Sequence, residues 1–283
     1  MFKLAGKVGL LLLAGISSVL AQQAVNDAEV KKQYRPWVTY TSARFESLFK
    51  DGSSLFAEYG TMLEFKGLES ISQDEYNALN ENYSSFLWVG YEHAFTDHWY
   101  AGASGKANFV KDGTKSNGSF FNRFNIAHRG HIGKLFFYKE VAFEYLSYDT
   151  KTYRQEEGRF SPSIGLGRQL KIKGKPLYIG VNYRLFFNFD LKNDKQSIYD
   201  KRKIDRTKLK AEVSYGFLPH WYIGVYYLRD TEYYYALATY DEFNNVKTPD
   251  YKMNRITEGV GFTLTYLLFK ENSDKYIIDL PVR

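Results

Sequence analysis

Residues 177–190 read LYIGVNYRLFFNFD, and this stretch decides the fold. Leu177, Ile179, Val181, Tyr183, Leu185, Phe187 and Phe189 fall on one face. Tyr178, Gly180, Asn182, Arg184, Phe186, Asn188 and Asp190 fall on the other. A helix brings every third or fourth residue to one side, whereas a strand alternates. Period two sustained over this length therefore predicts a strand. The same period returns at 55–65, 137–148, 207–217 and 259–266. Strands are expected near 37–49, 54–66, 83–95, 98–110, 119–131, 135–148, 159–170, 177–190, 205–217, 221–235 and 254–269. Most exceed the roughly 5–6 residues usual in a soluble sheet. They suit the 9–11 tilted residues that cross a bilayer.

The polar face decides between a soluble sandwich and a membrane barrel. It is rich in Gly, Ser, Asn and charge, while the other face is rich in Tyr, Phe, Leu and Val. Short connections at 96–98, 131–134, 171–176 and 218–220 alternate with longer polar ones at 111–118, 149–158, 191–204 and 236–253. A barrel spanning a membrane shows short turns at one end and long loops at the other. The expected fold is all-β, a transmembrane antiparallel up-and-down β-barrel of 10–12 strands. Eleven segments are visible, yet single-chain bacterial barrels carry even numbers. Ten remain if 37–49 lies in the lumen or caps the rim. Twelve, the favoured count, requires one strand more than the visible set.

Composition narrows the class further. The 283 residues are 44% hydrophobic and 25% charged, which excludes a disordered tail. The absence of cysteine excludes disulfides, thiolate zinc sites and a lipidated N-terminal cysteine. The net charge of +6 is spread along the chain, so nucleic acid is not expected as a partner. Residues 1–21 read as a cleaved signal peptide. Lys3 and Lys7 precede an apolar run, and Val19-Leu20-Ala21 supplies small residues for cleavage. Residues 22–36 then form an N-terminal periplasmic or lumenal segment, 37–270 the barrel and 271–283 a C-terminal tail. Export followed by a barrel implies the bacterial outer membrane.

Alternation assigns the candidate site residues. Glu58, Glu64, Lys106, Arg123, Arg129, Glu140, Glu144, Arg184, Lys208, Lys210 and Glu212 are expected to point into the lumen, where water eases pairing of opposite charges. Trp99-Tyr100 and Trp221-Tyr222 each follow a short turn and a histidine, as an aromatic interface girdle would. Tyr233, Tyr234, Tyr235, Tyr240, Phe243 and Tyr251 make an aromatic loop that suits either a partner surface or strand overhang. The basic run Lys192, Lys195, Lys201, Arg202, Lys203 and Arg206 sits in or beside a long loop and either meets outer-leaflet phosphates or is simply solvated.

Two resemblances bear on function. Trp37-Val38-Thr39-Tyr40, then Phe121-Asn122-Arg123-Phe124, the return over 140–148 and the pairing of 206–217 with 221–230 resemble a Bacteroidota-type outer-membrane barrel family of unknown function. That resemblance implies outer-membrane location and brings no activity. Ser116-Asn117-Gly118-Ser119 followed by Phe121-Asn122-Arg123 is similar to the active-site stretch of outer-membrane phospholipase A. In that family a histidine two residues before the serine acts as general base. Here the position is Thr114, and a hydroxyl without a base is a poor nucleophile.

Other chemistry has less support. His128 and His131 lack the i, i+2 spacing of a metal site on a strand and should lie far from Ser116. Asp241, Glu242, Asn244, Asn245 and Asp250 do not reproduce a calcium loop. No cofactor is expected. The sequence thus points to a non-enzymatic outer-membrane barrel, either a narrow or occluded pore or a structural subunit of an envelope assembly. Its surroundings would be outer-membrane lipid and lipopolysaccharide, with other outer-membrane proteins or lipoproteins as the expected class of partner.

Overall fold

The computed structural model describes residues 30–64, 83–112, 115–149, 154–191, 199–236, 239–240, 243, 246–248 and 251–269. All regular structure among them is β. In chain order the strands are β1 (Val30–Tyr34), β2 (Val38–Leu48), β3 (Ser54–Glu64), β4 (Tyr83–Ala94) and β5 (Trp99–Asp112). They continue with β6 (Lys115–Ile132), β7 (Leu135–Asp149), β8 (Arg154–Ile172), β9 (Lys175–Asp190) and β10 (Tyr199–Leu218). Last come β11 (Trp221–Ala236), β12 (Thr239–Tyr240), β13 (Val246–Thr248) and β14 (Tyr251–Phe269). The 11 strand segments expected from alternation are all present. Residues 1–29 and 270–283, with the expected signal peptide and tail, lie outside the described residues.

From β2 to β11 each strand pairs antiparallel with the next, and β11 then pairs with β14. The wall closes where β14 meets β2 in parallel, Gly259 opposite Val38 and Phe269 opposite Leu48. The closed barrel therefore has 11 strands, neither the ten nor the twelve that parity suggested. The 37–49 segment belongs to the wall and does not fill the lumen. Up-and-down winding with an odd count leaves first and last strands running the same way, so the closing pair must be parallel. That ladder is slightly weaker per residue than an antiparallel one. It still leaves no open edge, which is the larger gain.

The odd count also separates the start of β2 from the end of β14. β1 pairs with the start of β14, Val30 opposite Lys252 and Tyr34 opposite Ile256, so it lies outside the closed ring at the long-loop end. Arg35 donates to the Ile256 carbonyl at 2.8 Å, and Pro36 then interrupts the line before β2 resumes it. β14 finishes at the opposite end, beside the short turns.

Those turns are tight for identifiable reasons. Lys173 and Gly174 both take positive φ, 50° and 79°, which matches a two-residue hairpin to the strand twist. Gly133, at φ 64°, opens the two-residue link from β6 to β7. In the link from β2 to β3, Asp51 Oδ1 accepts from the Ser53 amide at 2.9 Å. That hydrogen bond holds the Asp51 carboxyl below the usual carboxylate range.

At the other end the described parts of the expected long loops are largely strand. β8 has 19 residues and β10 has 20, against the 9–11 that cross a bilayer. Polar side chains on both faces hide these extensions from a hydrophobic count, because above a membrane neither face needs to be apolar. The ladder supplies the evidence that composition lacks: Asp112 pairs with Lys115, and Asp149 with Arg154.

Candidate functional site

Alternation around a closed wall gives each strand an outer and an inner row. On β9, Ile179, Val181 and Tyr183 face outward and are exposed, whereas Asn182, Arg184 and Phe186 line the interior. The same inversion runs round the ring. Phe45, Leu55, Leu87, Val89, Phe124, Ile126, Phe143, Leu166, Val213, Ile223, Val225 and Phe262 are all exposed. Inside lies a cavity of about 560 Å³ bordered by charged, polar and aromatic side chains.

The expected lumenal charges are gathered there. Glu58, Lys106, Arg123, Glu140, Glu144, Arg184, Lys208, Lys210 and Glu212 line the cavity. Arg129 is buried lower down, and Glu64 follows Met62 on the inner row of β3 near the upper rim. Their pairing ties strands together. Glu140 accepts from Arg123, from Arg184 Nη2 at 2.8 Å and from the Tyr138 hydroxyl at 2.5 Å. Glu144 accepts from Arg159 Nη1 at 3.3 Å, and its other oxygen lies 3.8 Å from Arg123 Nε. One network thus joins β6, β7, β8 and β9. On the far side Arg206 donates to Asp230 at 2.5 and 2.6 Å, with Lys208 at 3.4 Å from the same carboxylate. Lys210 meets Glu212 at 2.8 Å.

Several members were missed from sequence. Arg44 bonds Glu46 at 3.0 Å and Glu58 at 3.1 Å, its guanidinium 4.3 Å from the Phe56 ring centroid. Arg44 and Glu46 alternate correctly, but their strand could not be given a place without the closing pair. Arg206, grouped with the basic run in or beside a loop, sits in β10 as the 205–217 strand implies, and it lines the lumen. Arg159 fell at the margin of an expected strand, whereas Glu92 and Asp230 lay within theirs and were not singled out. Lys192 and Lys195 lie outside the described residues, as do the side chains of Lys201, Arg202 and Lys203.

At the short-turn end buried side chains form a partial floor. Tyr100, Phe136 and Tyr138, each within four residues of the start of its strand, pack with Ala127 into a buried cluster. Arg129 reaches across β5 to Glu92 and lies 3.8 Å above the Tyr100 ring. Leu48 and Leu267, at 1% and 2% exposure, add the ends of β2 and β14 to this floor. The expected girdle is corrected accordingly. Trp99 and Trp221 face outward, but Tyr100 is part of the floor and Tyr222 lines the cavity. Neighbours on a strand point to opposite sides, so only one of each pair can serve a girdle.

The aromatic loop is mostly overhang. Tyr233 extends β11 and its hydroxyl lies 3.2 Å from Thr207 Oγ1. Tyr251 begins β14 with Lys31 Nζ 4.4 Å from its ring centroid. Tyr240 belongs to the small β12–β13 hairpin, and Phe243 is 84% exposed. The side chains of Tyr234, Tyr235 and Tyr240 lie outside the described residues, as do Asp241, Glu242, Asn244, Asn245 and Asp250. Among the described residues no three His, Asp or Glu side chains form a metal-binding group.

Thr114 and the Ser116 side chain also lie outside the described residues. The backbone of Ser116 is placed opposite Lys111, near the long-loop end of β6. His128 is paired with Trp99 near the short-turn end of the same strand. At about 3.3 Å per residue they are roughly 40 Å apart. Neither His128 nor His131, farther still, can reach that serine. Comparison with known protein families, with curated proteins and with solved structures finds no match to this chain.

Proposed function

We propose that this chain is a non-enzymatic outer-membrane barrel with an occluded lumen, rather than a general porin. The observation that carries the reading is the inversion of the wall: an apolar belt outside, a paired charge network inside. Soluble monomers rarely expose apolar patches beyond a few hundred Å². A bilayer makes such a belt favourable, and closure satisfies every ladder within it. Outer-membrane lipid and lipopolysaccharide would then surround it, and envelope proteins or lipoproteins are the class of partner that a structural role implies. Barrels of this size hold an interior that side chains can largely fill, unlike the aqueous channel of 16-stranded porins. Purified protein in planar bilayers is expected to show no large steady conductance, and Tyr100→Ala to raise it by thinning the floor. A large steady conductance of the unaltered protein would refute occlusion. Hydrolysis of phospholipid that disappears in Ser116→Ala would refute the non-enzymatic assignment.

Orientation supplies a second test. Short turns face the periplasm in such barrels. The parallel closure then puts β1 at the outer surface and the end of β14 at the periplasmic side. The chain has no cysteine, so a single introduced thiol reports cleanly. In intact cells Gln33→Cys should react with a membrane-impermeant maleimide. Lys134→Cys, exposed in a short turn, should react only after the outer membrane is breached. The reverse pattern would turn the barrel over.

A further inference from the structure

We propose that the lumenal cavity binds a small organic anion carrying an aromatic ring. The proposal builds on the reading of the lumen as an occluded cup, and its support is the setting of Lys106. Most lumenal cations meet carboxylates: Arg123, Arg159 and Arg184 are bridged by Glu140 and Glu144, and Arg206 and Lys208 by Asp230.

Lys106 differs. No carboxylate among the described residues lies within 4 Å of its Nζ, although the side chain borders the cavity at mid-β5. Its nearest aromatic partners are the Phe86 ring, 3.9 Å from Nζ to centroid, and the Trp88 ring at 5.9 Å. A cation held by ring faces alone, beside a cavity, is an anion subsite whose neighbours are apolar. Across the lumen, five strands on in the ring, Lys208 lies 5.7 Å from the Phe186 centroid. The occupant that answers both features has an anionic group for Lys106 and a flat ring for the aromatic walls. The volume of about 560 Å³ falls within the range of small-molecule sites.

Trp88 provides the readout. It is a lumenal tryptophan, whereas Trp37, Trp99 and Trp221 are exposed on the surface. The triple variant Trp37→Phe, Trp99→Phe, Trp221→Phe, folded in non-ionic detergent and verified by heat-modifiable gel mobility, leaves Trp88 as sole reporter. Titration with 4-nitrobenzoate should quench it saturably, whereas neutral 4-nitrobenzamide should quench only in linear, collisional fashion. Lys106→Met in that background should raise the half-saturation concentration at least tenfold. Lys208→Met should raise it severalfold, and it provides the test if the Lys106 variant does not fold. Equal saturation by the amide would overturn the proposal. So would unchanged titration in the folded Lys106→Met variant, or the absence of saturable quenching by 4-nitrobenzoate. Failure of occlusion would appear separately, as conductance in bilayers.

Discussion

Val181→Arg is expected to prevent the barrel from assembling, while Asn182→Arg should leave assembly intact. The two residues are adjacent on β9 and differ only in the side of the wall they face. Val181 is 49% exposed on the outer row, in register with Ala211 of β10 and Leu166 of β8. In the proposed setting that row meets hydrocarbon, where Arg near the midplane costs about 2–4 kcal/mol. Such a loss is a large fraction of the stability of an ordinary domain. Asn182 faces the cavity beside Lys210 and Glu212, and its neighbour across the ladder on β8 is Gly165, which leaves room for a longer side chain. Heat-modifiable gel mobility reads assembly for both variants. Normal assembly of Val181→Arg together with failure of Asn182→Arg would mean that the wall faces the other way. Equal folding of both without detergent would remove the membrane from the argument.

Glu140→Ala should destabilise the folded barrel by about 3–5 kcal/mol, the usual loss when one member of a buried ionic group is removed. The carboxylate is 5% exposed and accepts from Arg123, Arg184 and Tyr138 together. Truncation leaves two guanidinium groups facing each other with Glu144 as their nearest anion on β7. Glu140→Gln keeps the shape and an acceptor oxygen, so its loss should be smaller. The double variant Glu140→Ala, Arg184→Ala should lose less than the sum of its single variants, because one stranded cation is gone. Urea titration of the gel-resolved folded fraction measures all four proteins. Strict additivity would mean that Glu140 and Arg184 do not interact, and the lumen network would lose its central link.

Much of the site was legible in sequence because a strand carries its own two-sided code. Once 205–217 reads as a strand, Lys208, Lys210 and Glu212 share a face whatever surrounds them. The errors came where this code is silent. Trp99-Tyr100 was read as one feature by its composition, although the pleat separates the two rings. Arg206 was grouped with the basic run beside a loop, and only the ladder shows it facing the lumen. Arg44 and Glu46 sit on a readable strand, but one of its two wall partners, β14, lies more than 200 residues away.

The sequence by itself determined which residues alternate, hence the strands, their two faces and the apolar character of one of them. Those properties follow from backbone geometry over a few residues and need no distant partner. Only the tertiary structure decided that 11 strands close, that β2 meets β14 in parallel and that the start of β2 and the end of β14 lie at opposite rims. It also decided which lumenal charges neutralise one another and that Lys106 is left on aromatic faces. Alternation specifies a direction for each side chain but no neighbour. Neighbours depend on register and closure, which the whole ring must satisfy at once.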